Sequence, residues 1–382
     1  MKWRIPLSDI DFGAEEEEAV NMVIRGGWLT MGEATHAFEH EFAKYNNVAH
    51  AVAVSSCTAA LHLACIALGL GPGDEVILPA LTFVATANAV RYTGAKPVFA
   101  DIEGIYDLNI APGSIENCIT EHTKAIIVMH YAGYACDMQR ILRIAKENNL
   151  FIIEDAAHAV GASLEEKKLG TWGDIGCFSF FSNKNLVTGE GGMLVTNNPE
   201  YADQLKRLRS HGMTSLSWDR HQGHAWSYDV LDLGYNYRLD EIRSALGRVQ
   251  LNKLEENNSK RLVVVENYRD ILEKLTPAIL VPFKSHPGIS SAHIMPIVLP
   301  ERADRRKFMD CLLEEKIQTS IHYPPIYQFQ SYVQQNQSYK QTLQNTEFVS
   351  SREVTLPLYP HLHSSEIEFV AQTIQNALRL LV

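Results

Sequence analysis

Short apolar runs rich in β-branched residues recur along the first half of the chain, and helical or glycine-rich stretches separate them. Runs of this length and composition are typical of strands that are buried on both faces. The predicted strands cover residues 51–54, 75–78, 97–101, 125–129, 150–153 and 176–180. Since helices alternate with these strands, the pattern predicts a parallel or mixed sheet covered by helices on both faces.

The same pattern predicts several helices. Residues 59–68 are apolar on all faces, which is typical of a fully buried helix. A long helical stretch is predicted from Asp240 to about Leu275. The last helix is predicted to open with a capping box that joins Ser365 to Glu368.

Beyond the long helix the alternation starts again, with a predicted strand at 293–299 and a helix at 303–315. This restart predicts a second, smaller unit. We therefore expect a large α/β domain over residues 12–250 and a smaller C-terminal α+β domain over 251–382. Residues 1–11 are expected to pack alongside the smaller domain.

Charge and composition narrow the class of protein. The 382 residues carry a formal net charge of -11 at pH 7, so no surplus of Lys and Arg is available for nucleic acid. No apolar run reaches the roughly 18 residues that a membrane helix needs. The first residues lack the apolar core of a signal peptide. We expect no nucleic-acid or membrane partner and a cytoplasmic location.

The cysteine and histidine spacings predict no metal site. The six cysteines are scattered without a CxxC pair, which favours reduced structural thiols. His211, His221 and His224 lie near one another, but neither a cysteine nor an HExxH helix pattern accompanies them.

One lysine stands out by its position. An aromatic, apolar strand leads directly to Lys184, and the glycine-rich turn Gly189–Gly192 follows. Burial disfavours the charged form of a lysine and lowers its pKa. A neutral amine is what Schiff-base chemistry with an aldehyde requires. The alternative is an ordinary exposed lysine in a turn.

A second candidate feature is the stretch Ser55–Thr58, where a strand ends in small hydroxyl residues before the buried helix. Free amides and the helix dipole favour an anion at such a position, so a phosphate site is one interpretation. A plain helix N-cap is the other.

Asp155 ends the buried strand at 150–153 and precedes a short alanine-rich stretch with His158. A buried carboxylate needs a cation or a strong donor, and a protonated ring nitrogen would supply one. An N-cap role is the alternative. Because Ser56, Phe83, Asp155 and Lys184 all follow strands, we expect them to meet at one edge of the sheet.

These residues lie in motifs that resemble the DegT-type sugar aminotransferases, which are pyridoxal-phosphate enzymes of fold type I. The similarity covers nearly the whole chain. The matching motifs are WLTMG, SSCTAALHLA, LTFVAT, EDAAHA, SFFSNKNLVTGEGG, GYNYRLDEIRSALGRVQL and LPLYP. The resemblance implies a mostly parallel seven-stranded sheet between helices in the large domain.

The resemblance also implies roles around pyridoxal 5'-phosphate, with pyridoxamine 5'-phosphate as its second form. Lys184 would bond the cofactor and move the proton, and Asp155 would pair with the ring nitrogen. The remaining cofactor-binding residues that it implies are His158 near the ring oxygen, Phe83 on the ring face, and Ser179, Thr58, Cys57 and Asn236 at the phosphate. Asn236 would come from the neighbouring subunit, which implies a homodimer with shared sites.

Substrate contacts are implied for Trp28, Thr30, His322, Tyr323 and Tyr327. Arg25, Arg209 and Arg238 are candidates for the positive charge that a diphosphate needs.

Three residues depart from the family pattern. Cys57 stands where Gly is usual, His158 where Gln is usual, and Tyr327 where many members have His. Relatives that replace the lysine with His are dehydratases, and this chain keeps Lys184.

We therefore expect an aminotransferase that moves an amino group from an amino acid, L-glutamate, to a keto-sugar by a ping-pong mechanism through Lys184. The keto-sugar is expected to be linked to a nucleotide (dTDP, UDP or GDP). The alternatives are a pyridoxal-phosphate-dependent sugar dehydratase or lyase and a non-catalytic, cofactor-binding regulatory protein.

Overall fold

The structure is a computed structural model that describes residues 2–214, 227–333 and 343–381. Its helices are α1 (Ala14–Gly26), α2 (Glu33–Asn46), α3 (Cys57–Ala67), α4 (Val84–Tyr92), α5 (Pro112–Cys118), α6 (Met138–Asn148), α7 (Pro199–Leu208), α8 (Glu241–Leu275), α9 (Arg305–Glu314), α10 (Gln330–Val333), α11 (Gln344–Ser350) and α12 (Ser364–Leu381). Its strands are β1 (His50–Val54), β2 (Glu75–Pro79), β3 (Lys96–Ala100), β4 (Thr123–Met129), β5 (Phe151–Asp155), β6 (Ser163–Leu164), β7 (Lys167–Lys168), β8 (Ile175–Ser179), β9 (Gly192–Thr196), β10 (Met295–Val298) and β11 (Glu353–Leu356).

Seven strands form one sheet in the order β1-β9-β8-β5-β4-β2-β3. The pairs from β8 to β3 are parallel, whereas β9 is antiparallel to both of its neighbours. The predicted mostly parallel seven-stranded sheet is therefore confirmed, and β9 is its one reversed strand.

Helices cover both faces of this sheet, as the unbroken apolar strands predict. Alternate residues of a strand point to opposite faces. In β4, Ile126 and Val128 belong to one hydrophobic cluster, while Ala125 and Ile127 belong to another. The two clusters are the cores on either side of the sheet.

A third hydrophobic cluster surrounds the antiparallel pair of β10 and β11 and includes the second half of α8, α9 and α12. Ile5 lies in this cluster and pairs with Ile317. The helix α8 runs without a break through residue 250, so the division at that point stays a proposal.

Two helix N-termini differ from what the sequence pattern predicts. Glu241 accepts hydrogen bonds from the amides of Gly32, Ala34 and Thr35 at the start of α2. At α12 the predicted capping box is wrong, because the helix begins at Ser364 and the amide of residue 363 donates to Glu366 (2.9 Å).

Within the described residues, no helix combines the length and the apolar character that a membrane crossing requires.

Candidate active site

A cavity of about 350 Å³ lies at the carboxyl ends of the sheet strands. Parallel strands bring their following loops together at this edge, which is where ligands bind in open α/β sheets. The predicted cofactor residues that line the cavity are Cys57, Thr58, Phe83, Asp155, His158, Ser179 and Lys184. Two predicted substrate residues, His322 and Tyr323, line it as well.

One end of the cavity is the N-terminus of α3. Ser56 is the N-cap, and its Oγ accepts a hydrogen bond from the Ala59 amide (3.1 Å). The first intrahelical bond runs from the Ala60 amide to the Ser56 carbonyl (3.0 Å). The amides of Cys57 and Thr58 therefore have no acceptor inside the helix, and they form an anion site together with the helix dipole.

Strand β9 presses this turn against Ser179. Gly192 pairs with Val54 on one side and with Ser179 on the other. A Cβ at Gly192 would come within 2.6–2.7 Å of the Ser56–Cys57 peptide. Only glycine allows this approach, and Ser179 lines the same cavity as Cys57 and Thr58.

Asp155 forms the opposite wall. It is the last residue of β5 and is buried. Its Oδ2 accepts a hydrogen bond from Thr86 Oγ1 (2.7 Å), and its Oδ1 accepts one from the Ala157 amide (3.2 Å). Burial raises the pKa of Asp155, and these two hydrogen bonds oppose the rise. A cation opposite this carboxylate would compensate the burial.

His158 and Tyr323 lie above this wall, with His158 Nε2 and the Tyr323 hydroxyl 2.9 Å apart. Burial, and then the positive charge of Lys184, lower the pKa of His158 well below its usual value. The imidazole is therefore neutral. Phe83 is 57% exposed at the cavity wall, with its ring 5.8 Å from that of Tyr323.

Lys184 reaches the cavity from the turn after β8, where its amide donates to the Phe181 carbonyl (2.8 Å). Burial lowers the pKa of Lys184 from 10.5 to about 8. The nearby Cys57 and Asp155 oppose this shift in pKa. A substantial fraction of the amine is therefore neutral near physiological pH, as nucleophilic attack on an aldehyde requires.

Sequence analysis missed three polar residues around these side chains. Thr86 holds Asp155, and His293 Nε2 lies 3.3 Å from Lys184 Nζ. Asn185 contacts the other nitrogen of His293 (2.8 Å). These contacts span 69 to 109 residues of the chain, so no local spacing reveals them.

His322 is fixed by strand β11 beneath the cavity. Its amide donates to Glu353 Oε2 (2.7 Å), and its Nδ1 lies 2.7 Å from Thr355 Oγ1. The Tyr131 hydroxyl donates to its carbonyl. Burial lowers the pKa of His322 to about 3, so it presents a neutral ring to the cavity.

Four predicted site residues do not line the cavity of the single chain. The Trp28 indole N–H donates to the Met31 carbonyl (3.3 Å), and Thr30 is exposed nearby. The Tyr327 hydroxyl donates to Glu347 (3.1 Å). Asn236 is exposed and pairs with Ser210.

The arginine candidates differ in availability. Arg209 is buried, forms an ion pair with Glu39, and donates to the Ala53 carbonyl (2.7 Å), so its prediction as a diphosphate ligand is wrong. Arg25 is exposed and pairs with Glu18 (3.3 Å).

Of the histidines considered as metal ligands, His221 and His224 lie outside the described residues. Within the described ranges no group of three His, Cys, Asp or Glu side chains is placed to hold a metal.

The side chains around the cavity fit pyridoxal phosphate. Free amides at α3 and the Ser179 hydroxyl suit a phosphate, Asp155 suits a protonated ring nitrogen, and Lys184 suits the aldehyde. Two buried atoms at the cavity, His158 Nδ1 and Asn183 Oδ1, have no hydrogen-bond partner in the described part of the chain. Buried polar atoms of this kind indicate a ligand or water that completes the site.

Comparisons with known proteins agree with this geometry. The sequence model of the DegT/DnrJ/EryC1/StrS aminotransferase family matches residues 11–375. The chain is 38% identical to the spore coat polysaccharide biosynthesis protein SpsC of Bacillus subtilis (strain 168) over 381 residues, which is 98% of this chain and 97% of SpsC.

Solved structures give the same result. PseC of Helicobacter pylori, an aminotransferase involved in the biosynthesis of pseudoaminic acid, has a TM-score of 0.91 and 29% identity, with 99% of this chain and 100% of PseC covered. Spr1654 of Streptococcus pneumoniae in its PMP form has a TM-score of 0.92 and 27% identity, with 99% and 100% covered. A PLP form of Spr1654 also matches, with a TM-score of 0.91. The predicted fold type I is confirmed, and the chain belongs to the DegT/DnrJ/EryC1/StrS aminotransferase family of pyridoxal-phosphate-dependent sugar aminotransferases.

Proposed function

We propose that this sugar aminotransferase moves an amino group from L-glutamate to a nucleotide-linked keto-sugar, in two half-reactions that share Lys184. The observation that carries the proposal is the arrangement of Lys184, Asp155 and the α3 N-terminus around one cavity. An amine with a lowered pKa lies between a buried carboxylate and a set of free amides. This arrangement supports pyridoxal phosphate bound with its aldehyde at Lys184.

Bound pyridoxal phosphate supplies an electron sink and, as pyridoxamine phosphate, carries the amino group between the two substrates. The amides of Cys57 and Thr58 and the Ser179 hydroxyl would hold its phosphate. Asp155 keeps a proton on the ring nitrogen, and Thr86 orients the carboxylate for this role.

Lys184 has two tasks. It would hold the aldehyde of the bound cofactor, and its free ε-amino group would move a proton at the substrate carbon. General acid–base catalysis of this kind contributes about 10²–10⁴-fold in rate, provided that the pKa lies near the working pH. The lowered pKa of about 8 meets this condition.

The substrate end of the site is proposed to include His322 and Tyr323 of the same chain. Trp28, Thr30, Tyr327 and Asn236 lie outside the cavity of one chain. We propose that Asn236 reaches the phosphate of a second copy, and that the other three face the sugar or the nucleotide in the assembled site.

Exposed apolar side chains support a homodimer. Phe83 and Phe181 line the cavity and remain 57% and 44% exposed. The segment that leads to Asn236 adds Tyr228, Val230 and Leu233, which are also exposed. Large apolar side chains left exposed beside a ligand site are typical of a protein interface.

The test uses the purified full-length protein loaded with pyridoxal phosphate and mixed with L-glutamate. We expect one 2-oxoglutarate per subunit, together with loss of the visible absorption band of the Lys184-bound cofactor. Adding dTDP-, UDP- and GDP-linked keto-sugars one at a time should restore the band with one of them and yield an amino-sugar. Lys184→Ala is the control that should give neither response.

Other outcomes would contradict the proposal. A band that ignores glutamate but responds to other amino acids would replace the donor. Consumption of the sugar without any 2-oxoglutarate would favour a dehydratase or lyase, and no response to any amine would favour a regulatory protein. The cytoplasmic location stays a prediction.

A further inference from the structure

His293 is a buried histidine that the proposed mechanism does not use, and its Nε2 lies 3.3 Å from Lys184 Nζ. It comes from the segment before β10, more than a hundred residues away from the lysine, and its amide donates to the Ala132 carbonyl (3.1 Å). Its ring packs against that of His158, with the centroids 4.3 Å apart. Its position beside the reactive amine is therefore fixed by both backbone and side chain.

A chain of amides decides which nitrogen of His293 carries the proton. Asn258 Nδ2 donates to the Val160 carbonyl (3.0 Å), so its Oδ1 is the acceptor. Asn185 Nδ2 donates to that Oδ1 (2.7 Å) and to the Ser291 carbonyl (2.6 Å). Carbonyl oxygens only accept, so the orientation of both amides is settled.

The Asn185 side-chain oxygen must then accept from His293. It lies 2.8 Å from His293 Nδ1, which is therefore the protonated nitrogen. In the neutral ring the other nitrogen, Nε2, carries a lone pair, and this lone pair faces Lys184 Nζ.

The charges around the pair keep the histidine neutral. Burial, and then the positive charges of Lys184 and Arg261, lower the pKa of His293 well below its usual value. Lys184 itself faces Cys57 and Asp155, which favour its ammonium form. The lysine therefore holds the one proton that the pair shares, and the histidine accepts its hydrogen bond.

We infer that His293 is a positioning residue for Lys184: its Nε2 accepts a hydrogen bond from the ε-amino group whenever that group is not bonded to the cofactor. The inference rests on the proposed role of Lys184. It adds that a hydrogen bond to His293 holds the free ε-amino group in one defined position. A flexible lysine that is released in each half-reaction would otherwise sample many rotamers, at a cost in side-chain entropy each time it returns.

The first test observes His293 in the unsubstituted protein and uses a variant only to assign its signals. Full-length protein freed of cofactor and labelled with ¹⁵N-histidine is studied by NMR, and the His293 signals are identified by their loss in His293→Gln. We expect a neutral ring with its proton on Nδ1. A proton on Nε2, or a ring that titrates as an ordinary histidine, would overturn the inference.

The second test compares His293→Phe, which keeps a ring but removes the acceptor, with His293→Gln, which returns an acceptor oxygen. The pKa of Lys184 is measured in cofactor-free protein from the pH dependence of acylation of its peptide, read by mass spectrometry. A hydrogen bond to the ammonium form raises its pKa, so His293→Phe should lower the value by about one unit. His293→Gln should recover most of that loss.

His286→Phe is the matched control. His286 is partly buried and its ring contacts a backbone carbonyl (Ala135 O, 2.7 Å), but it does not line the cavity. It should leave the pKa of Lys184 unchanged. An unchanged pKa in His293→Phe, or an equal fall in the Phe and Gln variants, would overturn the positioning role. If His293→Phe does not fold, the His293→Gln variant alone still tests the role. A fall in the pKa of Lys184 in this variant as large as the one expected for the Phe variant would overturn it.

These outcomes are separable from failure of the proposed function. If pyridoxal phosphate never bonds Lys184 in the unchanged protein, the proposed function fails. The tautomer of His293 and the pKa of Lys184 in cofactor-free protein are measured independently of that step.

Discussion

Replacing Gly192 with alanine tests the phosphate end of the site. The added Cβ would lie 2.6 Å from the Ser56 carbonyl carbon and 2.7 Å from the Cys57 nitrogen. Both are backbone atoms, so no side-chain rotation can relieve the contact. Because carbon atoms pack best about 3.5–4.0 Å apart, the peptide must move by about 1 Å.

That movement displaces the amides proposed to bind the phosphate. Overpacking of this kind typically costs about 1–3 kcal/mol. If the strain falls on the binding geometry, it weakens the affinity for pyridoxal phosphate by about fivefold to 150-fold. Strain that falls instead on the fold appears as a lower melting temperature.

The assay is equilibrium binding of pyridoxal phosphate, with thermal melting of the same samples. Gly113→Ala is the matched control, because no atom lies within 4 Å of a Cβ there and alanine favours its helix α5. Gly192→Ala should bind pyridoxal phosphate more weakly than the unchanged protein. Inorganic phosphate should also compete less effectively for binding to this variant. Unchanged affinity together with an unchanged melting temperature in Gly192→Ala would refute this reasoning, because the strain of the added Cβ would then appear neither at the phosphate nor in the fold.

Two further predictions concern the Lys184 amine and the proposed dimer. Burial lowers the pKa of Lys184 from 10.5 to about 8. Below pH 8 the rate at which the protein captures pyridoxal phosphate is therefore limited by the fraction of Lys184 that is neutral. The capture rate in cofactor-free protein should therefore rise about tenfold per pH unit and level off near pH 8, and a rise that continues toward 10.5 would contradict the shift. Leu233→Glu, at an 87% exposed position, should convert a dimer to monomer in light scattering, whereas Leu380→Glu, at a 79% exposed position on α12, should not. Identical masses for the two variants would count against this interface.

The local apolar pattern was enough to predict the sheet and the alternation of helices. Most residues of the predicted strands are buried, and the unbroken apolar runs in the sequence already indicated burial on both faces. The reversed strand β9 was not predicted to lie between β1 and β8, because strand order depends on contacts between residues such as Val54 and Gly192 that are far apart in the chain.

The active site shows the same difference between features that local sequence predicts and features that depend on contacts between distant residues. Asp155, Ser179 and Lys184 end or follow strands, so their meeting at one edge follows from the topology of parallel strands. Thr86 and His293 act through side-chain contacts that only the folded chain creates. Trp28 and Tyr327 entered through the resemblance alone, and they lie outside the cavity of the single chain.

The assignment of Lys184 to the active site predicts one covalent bond, between its ε-amino group and pyridoxal phosphate. Purified protein mixed with pyridoxal phosphate, reduced with borohydride and digested, gives peptides whose masses locate the attached cofactor. We predict attachment at Lys184 and not at the other lysines, because burial at the cavity lowers the pKa of this amine. Attachment elsewhere, or no attachment at all, would contradict the assignment of the active site.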